Sequence, residues 1–201
     1  MRHIRVAHTL ADEPGAWGSR VADQIRIVHQ PGPSCPPHLL TQIDAIFLQT
    51  STKPPPPGPE QQAFRQRWLG RYLRGGTDVL LLALAGEDTV AGYLVGALED
   101  PAAQARFADV GYFRTDFAHL TRLFPAHLHI NLDQSFRAQG TGARLIEAFA
   151  ATARRAGAPG VHAVTGRGMR NVRFYERCGF LERGSALWNG REIVFLGRQL
   201  D

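Results

Sequence analysis

Between residues 127 and 156 the sequence contains a strand pattern, a turn with two glycines and a helix pattern, and no other segment restricts the fold as strongly. Residues 127–132 alternate polar and apolar side chains, as in a β-strand, and Thr141 to Ala156 follow a helical spacing. The turn between them contains Gly140 and Gly142 and leaves backbone N–H groups unpaired at the positive end of the helix dipole. Glycine also lets an anion approach the main chain closely. The segment therefore predicts a phosphate-binding turn.

The spacing of the turn decides between several kinds of phosphate site. A Walker loop needs a lysine after its second glycine, and no lysine occurs here. A dinucleotide fingerprint needs a third glycine where Leu145 stands. What remains is an Arg-x-x-Gly-x-Gly pattern that begins at Arg137, whose guanidinium can add a charge-assisted contact to an anion. A ligand-free connection between strand and helix is the alternative.

A second block of sequence follows about one helix and one strand later, from Asn171 to Phe180. It contains Phe174, Tyr175 and Gly179, and the spacing predicts a short helix with Asn171 as its N-cap and Gly179 after its end. Together with the Arg-x-x-Gly-x-Gly turn, this block resembles the GNAT superfamily of N-acetyltransferases.

A narrower resemblance involves residues 125–132, 43–47 and 67–72. These segments are similar to the acetyltransferase-like C-terminal domain of eukaryotic O-GlcNAcases and to its stand-alone bacterial relatives. The eukaryotic domain is regarded as a pseudo-acetyltransferase. Because the present chain keeps an intact glycine turn, the resemblance favours cofactor binding more strongly than catalysis.

The superfamily resemblance implies an α/β fold with a single mixed, mostly antiparallel central sheet flanked by helices. It also implies a V-shaped opening at the acyl-CoA site, acetyl-CoA as co-substrate, and no metal. Carried over position by position, it assigns cofactor binding to Leu132, Arg137, Ala138, Gln139, Gly140, Thr141, Gly142, Ala143, Asn171, Phe174 and Tyr175.

Acetyl transfer to an amine needs donors near the developing oxyanion and a proton for the departing sulfur. The resemblance gives the first task to main-chain amides near Leu132 and the second to the hydroxyl of Tyr175. Strand alternation places His127, His129, Asn131 and Asp133 on one face, and His129 and Asp133 are the predicted bases.

Four other interpretations of these residues stay open. A strand histidine such as His129 is often a hydrogen-bonded core residue, and Tyr175 could be a packed aromatic. His127 and His129 with Asp133 could bind a divalent metal. The whole chain could also be an inactive acetyltransferase-like module that binds acetyl-CoA or serves in docking.

The length of 201 residues predicts one domain, with residues 1–22 as an N-terminal arm. Residues 101–125 carry aromatics without a clear period and predict a partly helical insertion. Apolar spacing predicts the remaining elements, which are helices at His38–Gln49 and Glu60–Arg74, strands at Gln24–Val28, Val79–Ala85, Val90–Leu98 and Val161–Thr165, and a closing hairpin of Ser185–Asn189 with Glu192–Gly197.

Charge and apolar runs limit the expected partners. Lys and Arg number 23 against 18 Asp and Glu, and the arginines are scattered, which disfavours a nucleic-acid surface. The longest apolar run, Val79–Ala85, is far shorter than the ~20 residues that span a bilayer. With only two cysteines, distant in sequence, these features predict a soluble cytoplasmic protein. The expected partners are acetyl-CoA and an amine, with no nucleic acid and no membrane, in a monomer or homodimer.

The acceptor cannot be named from the sequence. Trp68, Tyr72 and Trp188 are candidates for an aromatic pocket, and Asp44, Glu99 and Asp133 are candidates for attracting an amine.

Overall fold

The computed structural model describes residues 25–201 and contains one seven-stranded sheet with helices on both faces. The expected N-terminal arm, residues 1–22, lies outside the described residues. The strands are β1 (Ile25–His29), β2 (Asp78–Ala85), β3 (Thr89–Ala97), β4 (Ala126–Leu132), β5 (Gly160–Gly166), β6 (Leu181–Trp188) and β7 (Arg191–Gln199). The α-helices are α1 (Pro37–Thr50), α2 (Pro59–Trp68), α3 (Ala118–Leu123), α4 (Thr141–Arg155) and α5 (Arg170–Arg177).

The order of strands in the sheet is β1-β2-β3-β4-β5-β7-β6. Every neighbouring pair is antiparallel except β4 with β5, which is parallel. The expected mixed, mostly antiparallel sheet is therefore confirmed, and the strand and hairpin predictions in the described part of the chain are correct to within a few residues.

Alternation along the strands gives the sheet two apolar faces, because neighbouring side chains point to opposite sides. One face packs under α4 and α5 and includes Leu128, Phe149, Tyr175 and Phe180. The other packs under α1, α2 and the insertion, as one cluster that includes Ile43, Phe47, Tyr72, Tyr93, Phe107 and Phe195. The insertion consists of two 3₁₀ turns (Ala105–Phe107 and Gly111–Phe113) and α3, so the expectation of a partly helical segment is correct.

Two predicted helix boundaries are wrong. The second helix ends at Trp68 rather than Arg74, because the chain leaves helical geometry at Leu69 and continues as a 3₁₀ turn over Gly70–Tyr72. The last helix begins at Arg170 with Met169 as its N-cap, so Asn171 lies inside the first turn and does not cap it.

The parallel pair β4 and β5 separates soon after it begins. Only Ala126 with Val161 and His127 with His162 are paired, although both strands continue for several residues. The sheet therefore opens as a V toward the carboxyl ends of these two strands. Within residues 25–201, no helix is both long enough and apolar enough to cross a lipid bilayer.

Candidate active site

The main-chain N–H of Leu132 faces the opening of the V. The next N–H in the chain, that of Asp133 directly after β4, donates to the carbonyl oxygen of Ala91 at 3.0 Å, toward β3. Successive N–H groups of a strand point to opposite edges, so the N–H of Leu132 points away from β3 and toward β5. Because β5 pairs with β4 only at the start of the strands, this N–H has no strand partner in the described part of the chain.

The turn that follows β4 carries unpaired N–H groups of the kind predicted from its glycines. Within residues 25–201, none of the six consecutive main-chain N–H groups from Ala138 to Ala143 donates a hydrogen bond. They lie at the N-terminus of α4, a helix of 15 residues whose N-cap, Gly140, supplies no side chain. Backbone donors and the helix dipole therefore act together at this turn, which suits a diphosphate.

The backbone of the turn is held in an unusual conformation. Ala138 and Gly140 both have positive φ, at 62° and 80°. This conformation is ordinary for glycine and uncommon for alanine, and nothing in the sequence indicates it at Ala138. Arg137 Nε donates to the carbonyl oxygen of Leu132 at 3.1 Å, so the arginine joins the turn to the end of β4.

Gly142 brings the turn into contact with the second sequence block. A Cβ built at Gly142 would lie 3.0 Å from Leu132 Cδ1 and 3.0 Å from Phe174 Cζ. The end of β4, the start of α4 and the middle of α5 therefore meet at one point, and only a residue without a side chain leaves this spacing intact.

Two polar side chains complete this part of the site. Gln139 donates through Nε2 to the carbonyl oxygen of Ser135 at 3.2 Å, and its Oε1 is buried without a hydrogen-bond partner. Asn171, exposed on the first turn of α5, accepts a hydrogen bond from Thr165 Oγ1 on β5 at 3.0 Å. This contact places Asn171 beside the second strand of the V.

Tyr175 lies on the face of the sheet covered by α4 and α5. It is buried beside Phe174 and Phe180, and its hydroxyl makes no hydrogen bond within residues 25–201. Burial, with a smaller effect of Cys178, raises the pKa of Tyr175 above its ordinary value. The hydroxyl is therefore protonated at neutral pH.

His129 lies on the opposite face. Its Nε2 is 3.1 Å from the hydroxyl of Tyr72, and its ring packs edge-on against Trp68 with centroids 5.5 Å apart. Burial, and secondarily the positive charge of Arg71, lowers the pKa of His129 to about 4. The half-buried imidazole is therefore neutral at pH 7, but it is a weak base.

Asn131 on β4 and Asp133 directly after it make hydrogen bonds within the protein, whereas the two ring nitrogens of His127 have no hydrogen-bond partner within residues 25–201. Asn131, to which no sequence motif assigns a role, donates to Tyr93 Oη and accepts from Thr50 Oγ1, both at 2.9 Å. Asp133 accepts from the N–H of Ser135 at 2.8 Å and so caps the 3₁₀ turn after the strand. His127 is buried, and burial first among several causes lowers its pKa well below its usual range.

The aromatic residues predicted as a pocket lie together. Trp68 contacts Trp188 edge-on at 6.2 Å between ring centroids, and Tyr72 contacts His129 at 5.3 Å. These aromatic residues lie on the face of the sheet opposite Tyr175. The two sides of the V therefore carry different side chains. Among residues 25–201, no group of three or more His, Cys, Asp or Glu side chains is arranged to hold a metal ion.

Comparison with known proteins identifies relatives. The profile of the acetyltransferase (GNAT) family matches residues 43–180. A candidate acetyltransferase of the GNAT family from Desulfovibrio desulfuricans aligns at 19% identity with a TM-score of 0.62, over 88% of this chain and 99% of that one. A candidate streptothricin acetyltransferase from Bacillus anthracis, in complex with acetyl coenzyme A, aligns at 18% identity and a TM-score of 0.50, over 66% and 68% of the two chains.

A third solved structure, a candidate phosphinothricin N-acetyltransferase, aligns at 19% identity with a TM-score of 0.60, over 88% of this chain and 99% of that one. No curated protein matches the chain. At these identities the structural matches establish the fold, and the narrower resemblance to the O-GlcNAcase domain stays a prediction.

Proposed function

The chain belongs to the acetyltransferase (GNAT) family, and we propose that it binds acetyl-CoA and transfers the acetyl group to a primary amine. The observation that carries this proposal is the run of six N–H groups from Ala138 to Ala143 that are unpaired within residues 25–201, at a helix N-terminus beside two diverging parallel strands. No observation on the described residues favours the alternative of a docking module without catalysis.

In this proposal the diphosphate of the co-substrate lies on the turn from Arg137 to Ala143. The N–H groups and the helix dipole stabilise its negative charge, and Arg137 adds a cation, since only its Nε is engaged by Leu132. The acyl arm enters the V, where the unpaired strand edges offer amide partners. The N–H of Leu132 then donates to the thioester oxygen as charge develops on it.

The two faces of the V supply different proton chemistry. The thiolate of CoA departs on the side of Tyr175, whose protonated hydroxyl is the donor to the sulfur. His129, with a pKa of about 4, holds a proton too weakly to remove one from an ammonium group efficiently. We therefore assign His129 to orienting the neutral amine, and Asp133 and water remain the proposed path for the released proton.

Loss of the ammonium proton is favoured by the site itself. Burial and the charge of Arg71, which lower the pKa of His129, act in the same direction on an ammonium bound next to it. Positioning of a neutral amine against the thioester then supplies much of the rate.

The test is calorimetric binding of acetyl-CoA to the full chain and to Gly140→Val, with Gly157→Val as the matched control. Both glycines have a φ of 80°, both have open space around the missing side chain, and they follow or precede the same helix. Valine therefore introduces comparable backbone strain at both positions, but only position 140 lies on the proposed diphosphate turn.

We expect Gly140→Val to weaken acetyl-CoA binding by at least about tenfold, or about 1.4 kcal/mol, and Gly157→Val to leave the affinity nearly unchanged. Release of free CoA in the presence of a panel of amines then measures transfer. Equal affinities in the two variants, or no binding by the parent protein, would contradict the assignment of the turn.

A further inference from the structure

The face of the V that carries His129 has a chemistry that selects among amines. We propose that the acceptor is a ring-bearing primary amine with a single positive charge, bound against Trp68 and Trp188. This inference rests on the proposed acetyltransferase function, because it names the acceptor class for the same site.

Trp68 and Trp188 reach each other across the V from the two halves of the sheet. Trp68 ends α2, which contacts α1 through Phe64 and Phe47, and α1 packs against β3 and β4. Trp188 ends β6, on the β5–β7–β6 side of the sheet. Their rings are nearly perpendicular, at 85°, with centroids 6.2 Å apart. The two indoles therefore form a corner at the boundary between the halves, next to where β4 and β5 separate.

Both tryptophans are half-buried, and neither indole N–H makes a hydrogen bond within residues 25–201. Trp68 also packs edge-on against His129 at 79°, so the imidazole forms a third wall of the corner. Partly exposed aromatic faces bind flat apolar groups through burial and through edge-to-face contacts. The corner therefore suits an aromatic ring better than a polar chain.

The distance from the corner to the thioester site matches a short amine. His129 precedes Leu132 by three strand residues, or about 10 Å at the usual rise. The two residues are on different faces, so the path from the rings to the Leu132 N–H runs along Asn131, whose amide is held by Tyr93 and Thr50. A ring joined to its amine by a short carbon chain spans this distance together with the contact of about 3 Å between the amine nitrogen and the thioester carbon.

Asp133 lies at the reacting end of this face, beyond Leu132, so the charges near Tyr72 and His129 decide whether a second ammonium group binds at the position of the ring. Three carboxylates lie near tyrosines of this face, and each forms an ion pair with arginine: Asp44 is near Tyr93, Asp78 near Tyr72 and Asp109 near Tyr112. The pairs are Asp44 with Arg65 at 2.7 Å, Asp109 with Arg71 at 2.8 Å, and Asp78 with Arg106 at 2.6 Å. No carboxylate of these three is left to hold a second cation, and Arg71 repels one. Diamines and aminoglycosides therefore fit poorly.

The experiment compares 2-phenylethylamine with 1,4-diaminobutane, a chain of similar length with two charges and no ring. Initial rates of CoA release give kcat and KM for both amines, and calorimetry measures the binding of each amine to the full chain without turnover. We expect kcat/KM to favour 2-phenylethylamine by at least about a hundredfold, or about 2.7 kcal/mol.

The variants are Trp68→Ala and Trp188→Ala, with Trp68→Phe and Trp188→Phe as conservative changes in case the alanine variants do not fold. Leu187→Ala is the matched control, since Leu187 precedes Trp188 in β6 and is 75% exposed. We expect the alanine variants to raise KM for 2-phenylethylamine at least about tenfold. The phenylalanine variants retain most of the affinity, and neither set alters acetyl-CoA binding.

Preference for the diamine overturns the proposal, and so does an equal effect of Leu187→Ala and the tryptophan variants. If the parent protein binds no acetyl-CoA, the acetyltransferase function fails instead. Calorimetry of the amines then still decides whether the aromatic corner binds a ring.

Discussion

The buried histidine on β5 makes stability depend on pH in a way that can be calculated. His162 is fully buried, stacks on Phe195 with centroids 4.4 Å apart, and pairs through Nδ1 with the carbonyl oxygen of Phe124. Burial lowers its pKa from 6.5 to about 3 in the folded protein. Below pH 6.5 the unfolded chain therefore binds a proton that the folded chain does not, and stability falls as the pH decreases toward 3.

The size of the effect follows from linkage. One such histidine changes the free energy of unfolding by about 1.4 kcal/mol per pH unit, so His162 alone accounts for a loss of about 2 kcal/mol between pH 8 and pH 5. His127, stacked against it at 5.4 Å, also has a lowered pKa and adds to the loss. This is a substantial share of the 5–15 kcal/mol typical of a domain.

Urea unfolding at pH 8 and pH 5 tests this calculation in the parent protein and in His162→Phe. The variant loses the contact with the Phe124 carbonyl and is less stable than the parent by about 1–3 kcal/mol at pH 8. The change in the variant's free energy of unfolding between pH 8 and pH 5, however, is smaller than the parent's change by about 2 kcal/mol. The control variant His119→Gln, at an exposed position of α3, shows the same change in free energy of unfolding between the two pH values as the parent. If His162→Phe shows the parent's change in free energy of unfolding, His162 is not buried in its neutral form as described.

Three further outcomes are expected. Tyr175→Phe lowers kcat by about a hundredfold while acetyl-CoA affinity changes little, and a normal kcat with a lower melting temperature refutes the proton-donor role. Gly142→Ala crowds Phe174 and costs about 1–3 kcal/mol by thermal unfolding; an unchanged melting temperature refutes the close contact. Arg106→Met leaves Asp78, whose side chain is 1% exposed, without its cation. It costs about 3–5 kcal/mol, which addition of Asp78→Asn partly restores; additive losses in the double variant contradict the pairing.

Local sequence signals were sufficient for the part of the site that is local in the chain. The strand at 126–132, the turn and α4 follow one another within 30 residues, so periodicity and two glycines predict both their order and the unpaired N–H groups. The positive φ of Ala138 escaped prediction because alanine carries no signal for it.

The acceptor side could be predicted only as a set of candidates. Tyr72 and His129 are 57 residues apart in sequence, and Thr50 and Asn131 are 81 apart, so their hydrogen bonds depend on the packing of α1 and α2 against β4. No periodic pattern within one segment encodes such contacts. The same holds for Asp44, which was a candidate for attracting an amine and is instead paired with Arg65.

Helix boundaries also depend both on local sequence signals and on contacts between distant segments. The end of α2 at Trp68 is marked in the sequence by Gly70, which the apolar spacing through Tyr72 concealed. At α5, Asn171 is a preferred capping residue by type, but its side chain is engaged with Thr165 on β5. A contact between elements thus overrides a local preference.

Because β4 and β5 pair at only two positions, the hydrogen bonding of the sheet is incomplete between these two strands. Two residue pairs join the strands. Beyond these pairs, the facing edges of β4 and β5 carry backbone amide groups that do not hydrogen-bond to each other. An extended ligand with its own amides would complete the hydrogen bonding, so substrate would serve as a structural component for as long as it is bound. Saturation with substrate is then expected to slow hydrogen–deuterium exchange at the amides of Ile130, Leu132 and Val164. Release of the product is expected to restore the faster exchange.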